Sequence, residues 1–234
     1  MRSIGYLFTQ RVPRPQGIVV AARSLVTLSP CLAQFVPGDW SIEWVRVDDR
    51  EAAARAAGVP DAAIARTIAW VTERVDPGPI GVIGPLPTLA LAYELGGVAE
   101  LGAETLLLGM ALADADVARF VEALAPPPHV GELGERRVAR LEHSPAPGEC
   151  LGWDIVGFDH GRAHSYLCNH LAPPIAAELG FEPDDNALYR DEEVAHAIAA
   201  WVERGEVGAE PCPWFAVAVT RYPWPAPSVD LPSP

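Results

Sequence analysis

The chain has 234 residues, half of them hydrophobic and 21% charged, so it can bury a core without staples and is too apolar to be a disordered chain. Its formal net charge is −14, and all 17 basic residues are arginine. Lysine chemistry is therefore excluded, whether as a Schiff base, a general base or a P-loop cation, and the acidic field opposes nucleic-acid phosphates and anionic membranes.

The partners this charge favours are a basic protein or a neutral small molecule. Abundant Ala, Gly, Pro and Arg point to the base composition of a GC-rich bacterial genome. Four cysteines at 31, 150, 168 and 212 form no C-x-x-C pair and read as reduced thiols of a cytoplasmic protein. The apolar stretch 17–33 is broken by Arg23, which argues against a signal peptide, and no run reaches the roughly 20 apolar residues of a membrane helix. No cofactor fingerprint is present, and none is expected.

Taken in order, SIGYLFT (3–9) and GIVVAA (17–22) read as strands, and a helix is expected near SLVTLSPCLAQFV despite Pro30. SIEWVRV (41–47) alternates as a strand. Ile64, Ile68, Val71 and Val75 carry helical spacing through 60–75, with Asp61 at its start. A buried strand, a Gly-Pro turn and a helix follow over 79–97, then a buried strand over 105–112. A helix over 114–124 has Asp114 as its expected cap. Strands separated by helices predict a sheet with at least partly parallel pairing.

The Pro-rich stretch 125–135 interrupts this rhythm. Beyond it, strands are expected over 136–143 and 150–159, a helix around 162–171 interrupted by Pro173 and Pro174 before a short continuation towards Gly180, a helix over 191–204 capped by Asp191, and a closing strand over 214–222. The expected fold is α/β, with α+β character in the C-terminal part and mixed sheets covered by helices in two lobes. Its parts are an α/β lobe over 1–125, a linker and edge strand over 126–148, a second lobe over 149–222 and a disordered tail over 223–234.

One stretch concentrates reactive side chains: GWDIVGFDHGRAHSYLCNH, residues 152–170. His160, His164 and Cys168 repeat every four residues, which invites a zinc site. On one straight helix, however, the outer two would stand roughly 12 Å apart along the axis, and zinc ligands must all lie about 2.0–2.3 Å from one ion. No metal site is expected. As a catalytic set, His164 is the candidate base, Asp159 the carboxylate that orients it, and Cys168 a nucleophile one turn away. Asp154, His160, Ser165, Asn169 and His170 are the accompanying binding residues. Helical projection sets Ala163, Tyr166, Leu167 and Leu171 on the buried side and Ser165 and Asn169 opposite. His170 would then serve a carbonyl at the helix end.

Two function classes follow. The first is an acidic binding protein, such as an adaptor or an immunity-like partner of a basic protein. The second is a small-molecule enzyme with a His/Asp acid–base site within 154–170. The absence of a triad, a cofactor motif or a metal set favours the first.

Overall fold

The computed structural model describes residues 1–29, 32, 47–56, 58–74, 86–123, 144–159, 162–205 and 207–225. Its centre is a five-stranded sheet in the order β1-β4-β7-β5-β6, with β1 at Arg2–Thr9, β4 at Leu106–Leu112, β5 at Glu149–Asp159, β6 at Arg162–Ser165 and β7 at Trp214–Tyr222. A two-residue pair, β2 at Val12–Pro13 and β3 at Ser24–Leu25, forms a separate small ladder. Strands from both sides of the Pro-rich stretch thus share one sheet. The mixed α/β class stands.

Every described ladder is antiparallel, which corrects the expected parallel pairing. Alternation of strands and helices shows only that a helix lies between two strands; it does not say at which end of the sheet the chain re-enters. The expected strand over 17–22 is likewise absent. Ile18, Val20 and Ala22 are buried, yet they lie on an irregular connection between β2 and β3. The helix expected near SLVTLSPCLAQFV begins instead with β3, and most of its remainder lies outside the described residues, as do 41–46, 79–85 and 136–143.

Period-two alternation builds both faces of the sheet. Trp214, Ala216 and Ala218 of β7 join Trp153 and Ile155 of β5 on one face. Phe215, Val217 and Val219 join Val156 and Phe158 on the other, beside Leu108 and Met110 of β4. The first face is covered by α6, Glu192–Glu203, which buries Ala195, Ile198, Ala199 and Val202. That helix begins as the sequence predicts: the Asp191 carboxylate accepts the Val194 amide at 2.9 Å. It ends at Gly205, in the left-handed region at φ 75°.

The remaining helices are α1 at Val47–Ala56, α2 at Asp61–Arg74, α3 at Leu89–Val98, α4 at Val117–Ala123 and α5 at Ala172–Leu179. α2 turns Ile64, Trp70 and Val71 inward and packs on α3, which lies against β1 around Phe8. A 3-10 turn at Asp114–Asp116 leads into α4, and Asp114 does not cap it. Its carboxylate instead takes the amino terminus at 2.8 Å and Arg2 at 2.5 Å, because β1 begins beside it in the pairing of Arg2 with Leu112. Among the described residues no helix is long and apolar enough to cross a membrane.

Candidate functional site

The helix expected over 162–171 is not formed. Arg162–Ser165 pair with β5 as β6, residues 166–170 make consecutive turns, and α5 starts at Ala172. Pro173 and Pro174 open α5 rather than interrupt a helix, since the first turn needs no amide donor there and proline's φ already suits it. Gly180, at φ 73°, closes it by donating its amide to the Ala176 carbonyl at 3.1 Å. The helix expected from 162 onward is thus replaced by a short strand of period two over Arg162–Ser165 and turns over 166–170, which redirects the side chains there.

Ser165 moves furthest. It lies opposite Val156 and so shares the face of Asp154 and Phe158, inside the core at 0% exposure rather than on a solvated helix face. Asp154 is buried beside it at 1% exposure. The Ser165 hydroxyl donates to Asp154 Oδ1 at 3.2 Å, and the Leu28 amide donates to Oδ2 at 3.2 Å. Thr27, also buried, faces the same carboxyl. Among the described residues no cation pairs with it. Burial pushes Asp154 from the ordinary value near 3.8 up to about 7, against the pull of the Leu28 amide and the Ser165 hydroxyl. Two buried phenols stand near: Tyr166, which donates to the Ala187 carbonyl at 2.8 Å, and Tyr189, whose ring centre is 5.4 Å from that of Tyr166.

The turn after β6 is tied to the same group. Ser165 Oγ accepts the Leu167 amide at 3.2 Å, and the Ser165 carbonyl accepts the Cys168 amide at 3.1 Å and the Cys168 thiol at 3.0 Å. Cys168 Sγ lies 3.6 Å from Ser29 Oγ and 3.7 Å from Asn169 Nδ2. His170 is exposed in the left-handed region at φ 55°, so its expected service to a helix end is corrected: no helix ends there.

His164 faces the other way, opposite Gly157. Its Nδ1 lies 2.6 Å from Glu210 Oε2, with the imidazole 15% exposed and the carboxylate 47% exposed. The Glu210 backbone is fixed on both sides: its amide donates to Asn169 Oδ1 at 3.1 Å, and its carbonyl accepts Trp214 Nε1 at 3.1 Å and the Cys212 amide at 2.8 Å. The arrangement is a carboxylate-oriented imidazole, the geometry a general base requires. Glu210 was invisible as a partner in the sequence, because it arrives from the loop before β7. Asp159, the expected orienting acid, closes β5 opposite Arg162, and His160 lies outside the described residues.

A cleft of about 460 Å³ opens between the end of α5 and the start of α6. Its walls include Glu182, Asp184, Asp185, Asp191 and Arg190, with Phe181, Tyr189 and Val194 as apolar lining. Two of these acids are engaged locally. Asp184 accepts the amides of Asn186 at 2.8 Å and Leu188 at 3.1 Å, and Asp191 caps α6. Glu182 and Asp185 are exposed and make no ion pair or hydrogen bond among the described residues. The cleft adjoins the busy stretch through a backbone bridge: Trp153 donates to the Tyr189 carbonyl at 2.7 Å and accepts its amide at 2.9 Å.

Comparison with protein-family models, with curated proteins and with solved structures finds no match to this chain. What defines it is an acidic α/β fold with three polar centres: a buried carboxyl, an imidazole–carboxylate pair and an open acidic cleft.

Proposed function

We propose that the protein is an acidic binding protein and that its partner, a basic protein, seats a cationic side chain in the cleft between α5 and α6. The observation that carries this reading is the pair of exposed carboxylates, Glu182 and Asp185, which stand uncompensated on the wall of a cleft of about 460 Å³. A guanidinium or ammonium group entering there would meet two acceptors that no residue of the described chain occupies. Phe181 and Val194 would cover its aliphatic stem. The net charge of −14 would accelerate the encounter and make it sensitive to salt.

Calorimetric titration with a short arginine-rich peptide tests the reading. Binding that weakens with salt, and that falls at least about tenfold in Glu182→Gln/Asp185→Asn, supports it. Equal binding by the double variant would show that the general field, and not the cleft, attracts the peptide.

A second reading rests on the His164–Glu210 pair. With Nδ1 engaged by the carboxylate, Nε2 would be left to accept a proton from a small-molecule substrate. His164→Ala would then abolish turnover without affecting peptide binding at the cleft.

A further inference from the structure

The His164–Glu210 pair needs a group on which to act, and the packing around Gly157 supplies one. Gly157 is paired on both sides, with His164 of β6 and with Trp214 of β7, so all three belong to one face of the sheet. Because Gly157 has no side chain, a hollow is left between the imidazole and the indole. The Cys212 thiol fills it. Its sulfur lies 2.6 Å from the point that a Gly157 Cβ would occupy, and the Trp214 ring lies 2.9 Å from the same point. Directly opposed residues on paired strands hold their Cβ atoms about 4.5–5.5 Å apart, so the sulfur stands at most about 8 Å from the His164 Cβ. The loop that carries Cys212 carries Glu210 as well: Cys212 donates its amide to the Glu210 carbonyl at 2.8 Å, and the next residue, Pro213, accepts the Phe158 amide at 3.0 Å. Cys212 and His164 are both half-buried, so solvent reaches them.

We propose that Cys212 is a nucleophile whose proton His164 takes, and that with Glu210 they form a thiol acyl-transfer site for small neutral esters. This rests on the reading of His164 as a base. In the first step the sulfur bonds to the ester carbonyl carbon as the thiol proton passes to His164. The C–O bond then breaks, the departing alkoxide takes that proton from the imidazolium, and an acyl thioester remains on Cys212. Water, giving a proton to the same imidazole, attacks the thioester carbonyl. The C–S bond breaks, the sulfur recovers its proton from the imidazolium, and a carboxylic acid leaves. No oxidant or cofactor is consumed.

Each role follows from position. Glu210 engages Nδ1 of His164 at 2.6 Å, which fixes the ring and leaves Nε2 to exchange protons. Cys168, the nucleophile expected from the sequence, is tied instead to the turn after β6, where its thiol donates to the Ser165 carbonyl at 3.0 Å. The substrate class follows from charge and lining. A net charge of −14 opposes anionic acyl donors, phosphate-bearing thioesters among them, and the buried Trp214 ring gives the sulfur an apolar backing.

Alkylation of the reduced full chain by limiting iodoacetamide, read cysteine by cysteine through peptide mass mapping, tests the assignment. Exposure alone ranks the exposed Cys150 above the half-buried Cys212. The reverse is expected: Cys212 should react at least about fivefold faster than Cys150 at about pH 7, with the lead lost in His164→Ala and reduced in Glu210→Gln. From about pH 8 to about pH 6 the Cys212 rate should fall less than about tenfold, whereas an ordinary thiol loses about tenfold per pH unit. p-Nitrophenyl acetate reads the acyl step. A burst of nitrophenol should leave one acetyl group on Cys212, and Cys212→Ala or His164→Ala should abolish it. Glu210→Gln leaves the imidazole in place and keeps the test open should His164→Ala fold poorly. A Cys212 no faster than Cys150, a rate unmoved in Glu210→Gln, or acetylation at another residue would each overturn the assignment. Ester turnover that needs His164 but survives Cys212→Ala would overturn it as well, while leaving the reading of His164 as a base intact.

Discussion

His164 and Glu210 meet at 2.6 Å, Nδ1 to Oε2, across a gap that nothing in the local sequence of either residue announces. β6 turns the imidazole toward the loop that precedes β7, and Asn169, one turn past β6, holds the amide of Glu210. Half of the carboxylate is in water, so the pair contributes little to stability and its geometry is set by its surroundings. Glu210→Gln should therefore lower unfolding free energy by less than about 1 kcal/mol in chemical denaturation. A larger loss would assign the pair to the scaffold.

Asp154 should give the protein an unusual pH dependence. Its carboxyl is raised to about 7 in the folded chain, so the stability it permits is fully present below 3.8 and is lost as pH climbs toward 7. Stability curves for the wild type and Asp154→Asn should converge at low pH. They should separate as pH rises to neutrality, with the variant then the more stable by about 1–3 kcal/mol. Parallel curves would contradict the assignment.

Ser165→Ala should cost more than its size suggests. The hydroxyl donates to Asp154 and accepts the buried Leu167 amide, so its loss leaves both without that partner. A destabilisation of about 1–3 kcal/mol is expected by denaturant titration. A neutral substitution would show that the turn at 166–170 does not depend on this bond.

Gly157 sits where a side chain does not fit. A Cβ there would lie 2.6 Å from Cys212 Sγ and 2.9 Å from the Trp214 ring. Gly157→Ala should destabilise by about 1–3 kcal/mol through overpacking. It should also disturb the His164 signals in an NMR spectrum, since Gly157 and His164 are cross-strand partners. An unchanged His164 would separate the two sides of this contact.

Long periodic elements were legible in the sequence. Asp191 and Gly205 bracket α6, Ile64 and Val71 orient α2, and β7 alternates through its length. β6 was not legible, because four residues, RAHS, carry too little apolar alternation to declare a strand, and His160, His164 and Cys168 imitate the spacing of a helix. Strand direction was lost for a related reason, since local pattern says nothing of where a chain re-enters a sheet. Of the candidate residues, the structure groups Asp154 with Ser165 and sends His164 to the opposite face. The two partners that matter most, Leu28 and Glu210, come from distant loops. The cleft was hidden as well: FEPDDNALYRD (181–191) reads as a polar connection, and only the packing of α5 and α6 makes it a wall.

The most direct test of the proposed function is to map the arginine-rich peptide onto the chain by NMR amide shifts. The account predicts perturbations concentrated on 180–194, saturating with one peptide and vanishing in Glu182→Gln/Asp185→Asn. Shifts scattered over the acidic surface, or centred on His164 and Glu210, would contradict it.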